Sequence, residues 1–335
     1  MTAENRRWVL AERPVGMVDD ETLRLETAER PSAGPRQAVA RVRWLSVDPT
    51  IRTWMDDRPG YLPPIGLGEV VRGAGLAEIV ESRTDRYAVG DVVYGMTGWQ
   101  DYVVAGEGEA ALTVIPPVVE AGAMLSVLGV NGMTAWFGLL EVGDLRQGDT
   151  VVVSGAAGAT GSLVGQIAKL KGAGKVVGIA GSEEKCAWVT SALGFDAAVD
   201  YRHEDVAAAL RRHCPGGIDL YFDNVGGEIL DTCLAQMAMR GRVVLCGAIS
   251  QYNAAGRPPG LVNVVNLIPR RGRMEGFIIL DYIERFPSAQ LELAAWLGEG
   301  RLVHAEHVVR GLEHAPEALN VLFTGENTGK VVVEL

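Results

Sequence analysis

Thr150–Gly172, TVVVSGAAGATGSLVGQIAKLKG, is the stretch on which the fold turns. A β-branched run from Thr150 to Ser154 meets Gly155-Ala156-Ala157-Gly158-Ala159-Thr160-Gly161, and a helix read from Ser162 to Lys171 begins at once. Small side chains there let a diphosphate approach backbone amides at a helix N-terminus, where the dipole favours negative charge. Ala156 takes the first slot of G-x-G-x-x-G, and Gly158 and Gly161 keep the other two. Other α/β folds also use glycines in strand-to-helix turns, so the strand, turn, helix, strand context is what points to a dinucleotide.

Beyond this turn, strands and helices alternate: KVVGIAG, SEEKCAWVTSALG, AAVDY, DVAAALRRHC, IDLYFDNV, EILDTCLAQM and GRVVLCGA. Val- and Ile-rich strands separated by helices predict an α/β fold, a doubly wound parallel sheet covered on both faces. Upstream, from Gln37 to about Pro117, short apolar runs broken by Gly, Pro and Asp predict a small β-barrel. The texture turns helical near Val119, and Gly129 separates two apolar helices, VEAGAMLSVLG and NGMTAWFGLLEVG. RMEGFIIL reads as a further apolar strand, with a helix from about Tyr282 to Leu297. LVHAEHVV and GKVVVEL then return to the texture of the front of the chain. The expected division is therefore 1–122 as the barrel domain, 123–300 as the nucleotide domain and 301–335 as a C-terminal return to the first.

The 335 residues carry 31 Lys plus Arg against 42 Asp plus Glu, a formal charge of −11 that argues against nucleic-acid or anionic-membrane binding. With 48% apolar residues the chain is rich enough to bury a full core, and its length suits two domains. Cys186, Cys214, Cys233 and Cys246 contain no C-x-x-C pair, as expected of reduced cytoplasmic thiols. The N-terminus has no apolar run of signal-peptide length. Two uncharged stretches, Ala121–Leu140 and Val151–Ala168, are each cut by glycines and read as short elements of a globular fold, not as membrane spans.

Cofactor choice is read at the end of the second strand, where an NAD enzyme places a carboxylate on the ribose 2′-hydroxyl. Here Gly181 and Ser182 stand in that place, with Lys185 one helical turn on, which favours NADP. Glu183 and Glu184 are the counter-argument, and a plainer reading makes them first-turn helix acids that complement the dipole and makes Lys185 a solvated surface residue. Residues 1–185 contain neither Cys nor His, so catalytic and structural zinc are both unexpected. His304 and His307, three apart in an expected strand, would face opposite sides. None of the eight tyrosines has a lysine four residues on, which argues against the Tyr-Lys relay of short-chain reductases. A hydride acceptor must then be activated by hydrogen bonding, and Tyr252, just past a strand end in CGAISQYN, is the candidate; a packing tyrosine would look the same.

From Arg6 to Leu335 the chain resembles the zinc-independent medium-chain dehydrogenase/reductases of the prostaglandin reductase, alkenal double-bond reductase and curcumin reductase group. The segments that carry this are NRRWVLAERP, LSVDPTIR, LGEVVRGAG, GWQDYVV, VLGVNGMTAWFGLL, AAGATGSLVGQIAKLKG, VVGIAGSEEK, LGFDAAVDY, GIDLYFDNVGG, CGAISQYN, MEGFIIL and GENTGKVV. The resemblance implies a Rossmann domain with a GroES-like barrel, a homodimer formed through an edge strand for which MEGFIIL is the candidate, and NADPH-dependent reduction of the C=C bond of α,β-unsaturated ketones or aldehydes. It implies that Gly158, Ala159, Thr160, Gly161 and Ser162 hold the diphosphate, and that Gly181, Ser182, Lys185 and Tyr201 meet the 2′-phosphate. Met133, Thr134, Asn224, the run Cys246, Gly247, Ala248, Ile249, Ser250, Gln251 and Tyr252, then Phe277, Ile278, Ile279 and Asn327 match further cofactor-contacting positions.

Tyr252 matches the tyrosine near the substrate carbonyl and so carries the catalytic role. Thr50, Tyr61 and Trp99 match substrate-pocket positions, although Tyr61 and Trp99 read equally well as barrel core. The family's D-P-Y-M-R stands here as Asp48-Pro49-Thr50-Ile51-Arg52, so an aromatic is lost. Two other functions fit the same residues: an NADPH quinone reductase, and a non-catalytic NADPH-binding sensor.

Overall fold

The computed structural model describes residues 4–116 and 120–335. The barrel end read near Pro117 and the texture change near Val119 lie outside the described residues. Two compact units form, one from the residues up to Leu125 together with Glu306–Leu335, the other from Ser126–Ala305. Both borders fall a few residues beyond the expected 122 and 300.

The first unit contains β1 (Glu4–Leu10), β2 (Leu23–Glu29), β3 (Gln37–Val47), β4 (Ala74–Ser82), β5 (Val92–Met96), β6 (Tyr102–Gly106) and β7 (Leu112–Val114). The second contains β8 (Thr150–Ser154), β9 (Lys175–Ala180), β10 (Ala197–Asp200), β11 (Ile218–Asp223), β12 (Met237–Leu245) and β13 (Arg273–Gly276). β14 (Glu306–Arg310) and β15 (Lys330–Glu334) rejoin the first.

In the second unit all six strands are parallel, in the order β10-β9-β8-β11-β12-β13. Val151, Val152, Val153, Val176 and Val177 are fully buried, as near-continuous apolar strands covered on both faces must be. The winding reverses between β8 and β11, and a crevice beyond their carboxyl ends is where such sheets bind ligands. Among the described residues no helix is long and apolar enough to cross a membrane.

Three local expectations change here. The strand read as RMEGFIIL is only β13, four residues at the sheet edge and largely exposed. Phe277 instead turns into the unit to meet Gly138 and the edge of Tyr282, and a 3₁₀ segment, Ile279–Arg285, precedes the helix Phe286–Gly298. The helix Val130–Phe137, entered through an extended Gly129, passes into a π turn over Gly138–Val142. Gly138 is pressed so closely that a Cβ would stand 2.6 Å from Phe277 Cζ, and Arg242 and Arg273 take up the carbonyls of Gly143 and Val142. His304 lies before β14, not in it, and is half-buried, so the opposite-face reading of His304 and His307 does not apply.

The first unit is a seven-stranded sheet, β14-β15-β3-β4-β5-β7 with β6 on β3, plus the hairpin β1-β2. β15 runs antiparallel to β3, Val331 opposite Val47, so the C-terminal tail completes this sheet. Leu10, Leu45, Ile79 and Trp99 are among the side chains wholly enclosed in its core.

Candidate functional site

At the end of β8 the left-handed conformation falls on Gly155, with φ +59°, one residue before the slot that Ala156 fills. Ala156 is buried, with its amide donating to Ile179 O at 3.0 Å, so alanine is accommodated because its neighbour makes the turn. Gly158 is the extended N-cap of the helix Ala159–Leu170 and has no side chain to cap it. A Cβ on Gly161 would lie 2.2 Å from Gly155 O, which is why the helix can follow the strand so closely. Asn131, not singled out from the sequence, donates from Nδ2 to Thr160 Oγ1 at 3.3 Å. On that neighbouring helix Met133 is buried and Thr134 half-buried.

The second strand, β9, ends at a different kind of corner. Ser182 caps the helix Glu183–Ser191, its Oγ accepting from the Lys185 amide at 3.2 Å, while Glu183 and Glu184 face solvent as first-turn acids. Tyr201 N donates to Ala180 O at 3.0 Å, and the ring lies on Gly181, where a Cβ would meet Cε1 at 2.8 Å. Burial lowers the pKa of the Lys185 ammonium, and the nearby Arg202 guanidinium adds to the effect.

Beyond β11, Asp223 is fully enclosed and accepts from Tyr221 Oη at 2.6 Å, Ser154 Oγ at 2.9 Å, and the amides of Val225 and Gly226 at 3.1 Å. Burial pushes its carboxyl above the usual range against the pull of those donors. Asn224 ties the two central strands, its amide donating to Ser154 Oγ at 2.9 Å and its Nδ2 to Ser154 O at 2.7 Å. An acid closing an apolar strand in LYFDNV was the signal for Asp223, which the sequence reading passed over.

The run 246–252 is tied to the same segment. Cys246 N and Gly247 N donate to Asp223 O at 2.9 and 3.1 Å, and Ser250 Oγ donates to Val225 O at 2.6 Å. The phenol oxygen of Tyr252 accepts from Ala248 N at 3.0 Å, so the half-buried ring closes its own loop, Ile249 and Gln251 lying in the 3₁₀ turn between. Burial, then the Asp223 charge, pushes the Cys246 thiol up to about 12, which keeps it protonated and non-nucleophilic. Ile278 and Ile279 follow Phe277 and are half-buried.

Thr50, Tyr61, Trp99 and Asn327 belong to the first unit. Thr50 Oγ1 and Tyr61 Oη lie 2.7 Å apart, and Trp54 Nε1 donates to the same phenol oxygen at 3.2 Å. Trp54 and Tyr61 meet edge to face with ring centres 6.3 Å apart, and Arg72 lies 5.7 Å over the Trp54 ring. Trp54 and Arg72 were absent from the sequence reading; a Trp four residues after Thr50, on the same helix face, was the available clue.

The helix Thr50–Trp54 is fixed from both sides. Arg52, buried, donates to Gly16 O, Pro14 O and Asp56, and buried Lys330 reaches Val47 O at 3.0 Å and Asp48 Oδ1 at 2.6 Å. Asn327 spends Nδ2 on Gly329 O at 3.1 Å, bracing its own turn. Trp99 is wholly enclosed beside Gly73, the position of a core residue.

Comparison with known proteins follows this division. Residues 6–114 match the family model described as the N-terminal domain of oxidoreductase, and residues 159–296 match that described as zinc-binding dehydrogenase. The zinc in that description does not suit this chain: residues 1–185 offer no Cys or His, and among the described residues no group of three or more His, Cys, Asp or Glu side chains could hold a metal ion. The chain is 40% identical to the NADPH-dependent curcumin reductase of Escherichia coli, over 99% of its length and 97% of the relative's. It is 41% identical to the NADP(+)-dependent 2-alkenal reductase of Nicotiana tabacum, over 94% and 91%. CurA of Vibrio vulnificus, solved in complex with NADPH, superposes with a TM-score of 0.92 at 40% identity, covering 98% of each chain. The chain thus belongs to the zinc-independent medium-chain dehydrogenase/reductases, in the group of curcumin, 2-alkenal and prostaglandin reductases.

Proposed function

We propose that this chain is an NADPH-dependent reductase of the C=C bond of α,β-unsaturated ketones or aldehydes. The observation that carries the cofactor is the corner at Gly181 and Ser182, where Tyr201 and Lys185 stand and the strand end bears no carboxylate. The amides of Ala159, Thr160 and Gly161 hold the diphosphate at the N-terminus of a twelve-residue helix, while Gly158 and Ser162, whose amides donate to Gly155 O and Gly158 O, line the seat. Met133, Thr134, Asn224, the run 246–252, Phe277, Ile278, Ile279 and Asn327 complete the cofactor contacts, and Thr50 and Tyr61 contact substrate. When bound, NADPH supplies the hydride for the β-carbon.

Negative charge then develops on the substrate carbonyl oxygen, Tyr252 stabilises it by donating a hydrogen bond, and a proton taken up at the α-carbon from solvent or through a relay completes the saturated product. The Ala248 amide, donating to that phenol oxygen, polarises the O–H and strengthens it as a donor. We also propose a homodimer joined through β13, and a cytoplasmic location in keeping with four unpaired thiols.

Assays of NADPH oxidation over enones, enals and quinones, with product analysis, test this reading. Saturated ketones or aldehydes are expected. Hydroquinone alone would make the enzyme a quinone reductase, and tight cofactor binding without oxidation across the panel would make it a sensor.

A further inference from the structure

We infer that Asp223 is a positioning residue for Tyr252, its carboxyl group fixing the turn on which the loop 246–252 is seated. This rests on the role proposed above for Tyr252 and goes beyond it, to a side chain wholly enclosed in the protein. The chain leaves β11 through Asp223-Asn224-Val225-Gly226-Gly227, and Gly226 and Gly227 both take the left-handed conformation, with φ +71° and +58°. A turn of that shape lies outside the sheet ladder, so its amides need other acceptors, and the carboxyl group supplies them. Oδ1 accepts from Val225 N and Gly226 N, and Oδ2 from Gly226 N, each at 3.1 Å. The same Oδ1 accepts from Tyr221 Oη at 2.6 Å and from Ser154 Oγ at 2.9 Å, which ties the turn to both central strands.

Three successive carbonyls of that turn carry the loop. Asp223 O accepts from Cys246 N at 2.9 Å and Gly247 N at 3.1 Å, Asn224 O from Ile249 N at 3.3 Å, and Val225 O from Ser250 N at 3.2 Å and Ser250 Oγ at 2.6 Å. Gly226 is pressed against Ala248, where a Cβ would stand 3.1 Å from Ala248 Cβ, and Ala248 N is the donor to Tyr252 Oη at 3.0 Å. A shift of the turn therefore reaches the phenol through Ala248. Displacing a group that meets developing charge costs rate in the transition state more than it costs ground-state binding. An apolar side chain at 223 would strip the Val225 and Gly226 amides of their acceptors. Asparagine would not, because Oδ1 alone receives all four donor groups and Oδ2 only repeats the Gly226 contact.

The test is a double-mutant cycle on the full-length enzyme, with steady-state kinetics on NADPH and 4-phenyl-3-buten-2-one, an enone of the panel above. Asp223→Ala is expected to lower kcat about 10-fold, the scale of a misplaced catalytic group, and less than about 2-fold when Tyr252 is already phenylalanine. Asp223→Asn is expected to keep at least about half of the wild-type kcat, since the turn retains its acceptor. Should Asp223→Ala fail to fold, Tyr221→Phe takes its place in the cycle; it preserves the core volume, removes one donor to Oδ1, and is expected to cost about 3-fold, the scale of one hydrogen bond. Wild-type kcat in the substituted enzyme, or the same loss with and without the Tyr252 phenol, would overturn the assignment of Asp223 while leaving Tyr252 its role. Wild-type kcat in Tyr252→Phe would overturn the two together.

Discussion

Gly161 and Gly155 approach so closely that a Cβ on Gly161 would stand 2.2 Å from the Gly155 carbonyl oxygen and 2.8 Å from its carbon. Backbone cannot give way as a flexible side chain can, so Gly161→Ala must push the helix Ala159–Leu170 away from β8. The expected cost is about 1–3 kcal/mol of unfolding free energy together with weaker NADPH binding. Gly158→Ala is the contrast: its Cβ meets only Gly155 O at 3.2 Å, and its φ of −86° suits any residue. Its stability loss should stay below about 1 kcal/mol, the scale of a poorer N-cap. Urea melts and cofactor titration of both variants check the pair.

Tyr252→Phe removes a donor proposed to act only as charge develops on the substrate. If that bond supplies about 2–3 kcal/mol to the transition state, turnover falls roughly 30- to 150-fold. NADPH affinity should change little, although the Ala248 amide loses its acceptor and the loop 246–252 loosens slightly. Steady-state kinetics with direct titration of NADPH separate the two effects. A variant with wild-type turnover would leave the phenol with loop closure alone.

Asp223 predicts a pH signature. Its folded pKa lies above the ordinary 3.8, with burial the largest cause, so between 3.8 and the folded value the native state holds a proton that the unfolded chain has released. Native protein binds more protons in that window, and its stability must fall as pH rises through it. The contribution is fully present below 3.8 and lost above the folded value. Asp223→Asn abolishes this titration, so the wild-type-minus-variant difference in unfolding free energy is expected to shrink as pH climbs from 3.8. A difference that widened instead would put the carboxyl below its ordinary range.

Most of the fold was legible because its signals are local. Strand and helix periods in residues 150–245 follow from Val runs and glycine turns, and β8 occupies Thr150–Ser154 as read. What escaped depended on contacts between distant residues. MEGFIIL has strand composition throughout, yet Phe277 leaves the ladder to pack on Gly138, which is 139 positions earlier in register with nothing in either segment to announce it. Ala156 takes the first slot of the glycine motif, and the sequence does not say which residue takes the positive φ; Gly155 does. Asp223 shows its importance only once five donor contacts surround it. Thr50 read as a lost aromatic, but its hydroxyl lies in hydrogen-bond reach of the Tyr61 phenol, a partner in a loop with no periodic pattern.

The edge strand gives the last prediction. Among the described residues β13 is paired on one side only, by β12, and its other edge offers backbone donors and acceptors to a second copy. The segments that precede and follow β13 in the chain expose large apolar side chains, Val262 at 77%, Ile268 at 75% and Ile283 at 52%. Antiparallel pairing of two β13 strands about a two-fold axis would make each contact twice, and the proposed interface extends over these side chains. Ile268→Lys introduces two ammonium groups into that interface, so sedimentation velocity should show a monomer where wild type sediments as a dimer, and the variant's melting temperature should no longer depend on protein concentration. A dimer that survives Ile268→Lys and Val262→Lys combined would move the interface away from β13.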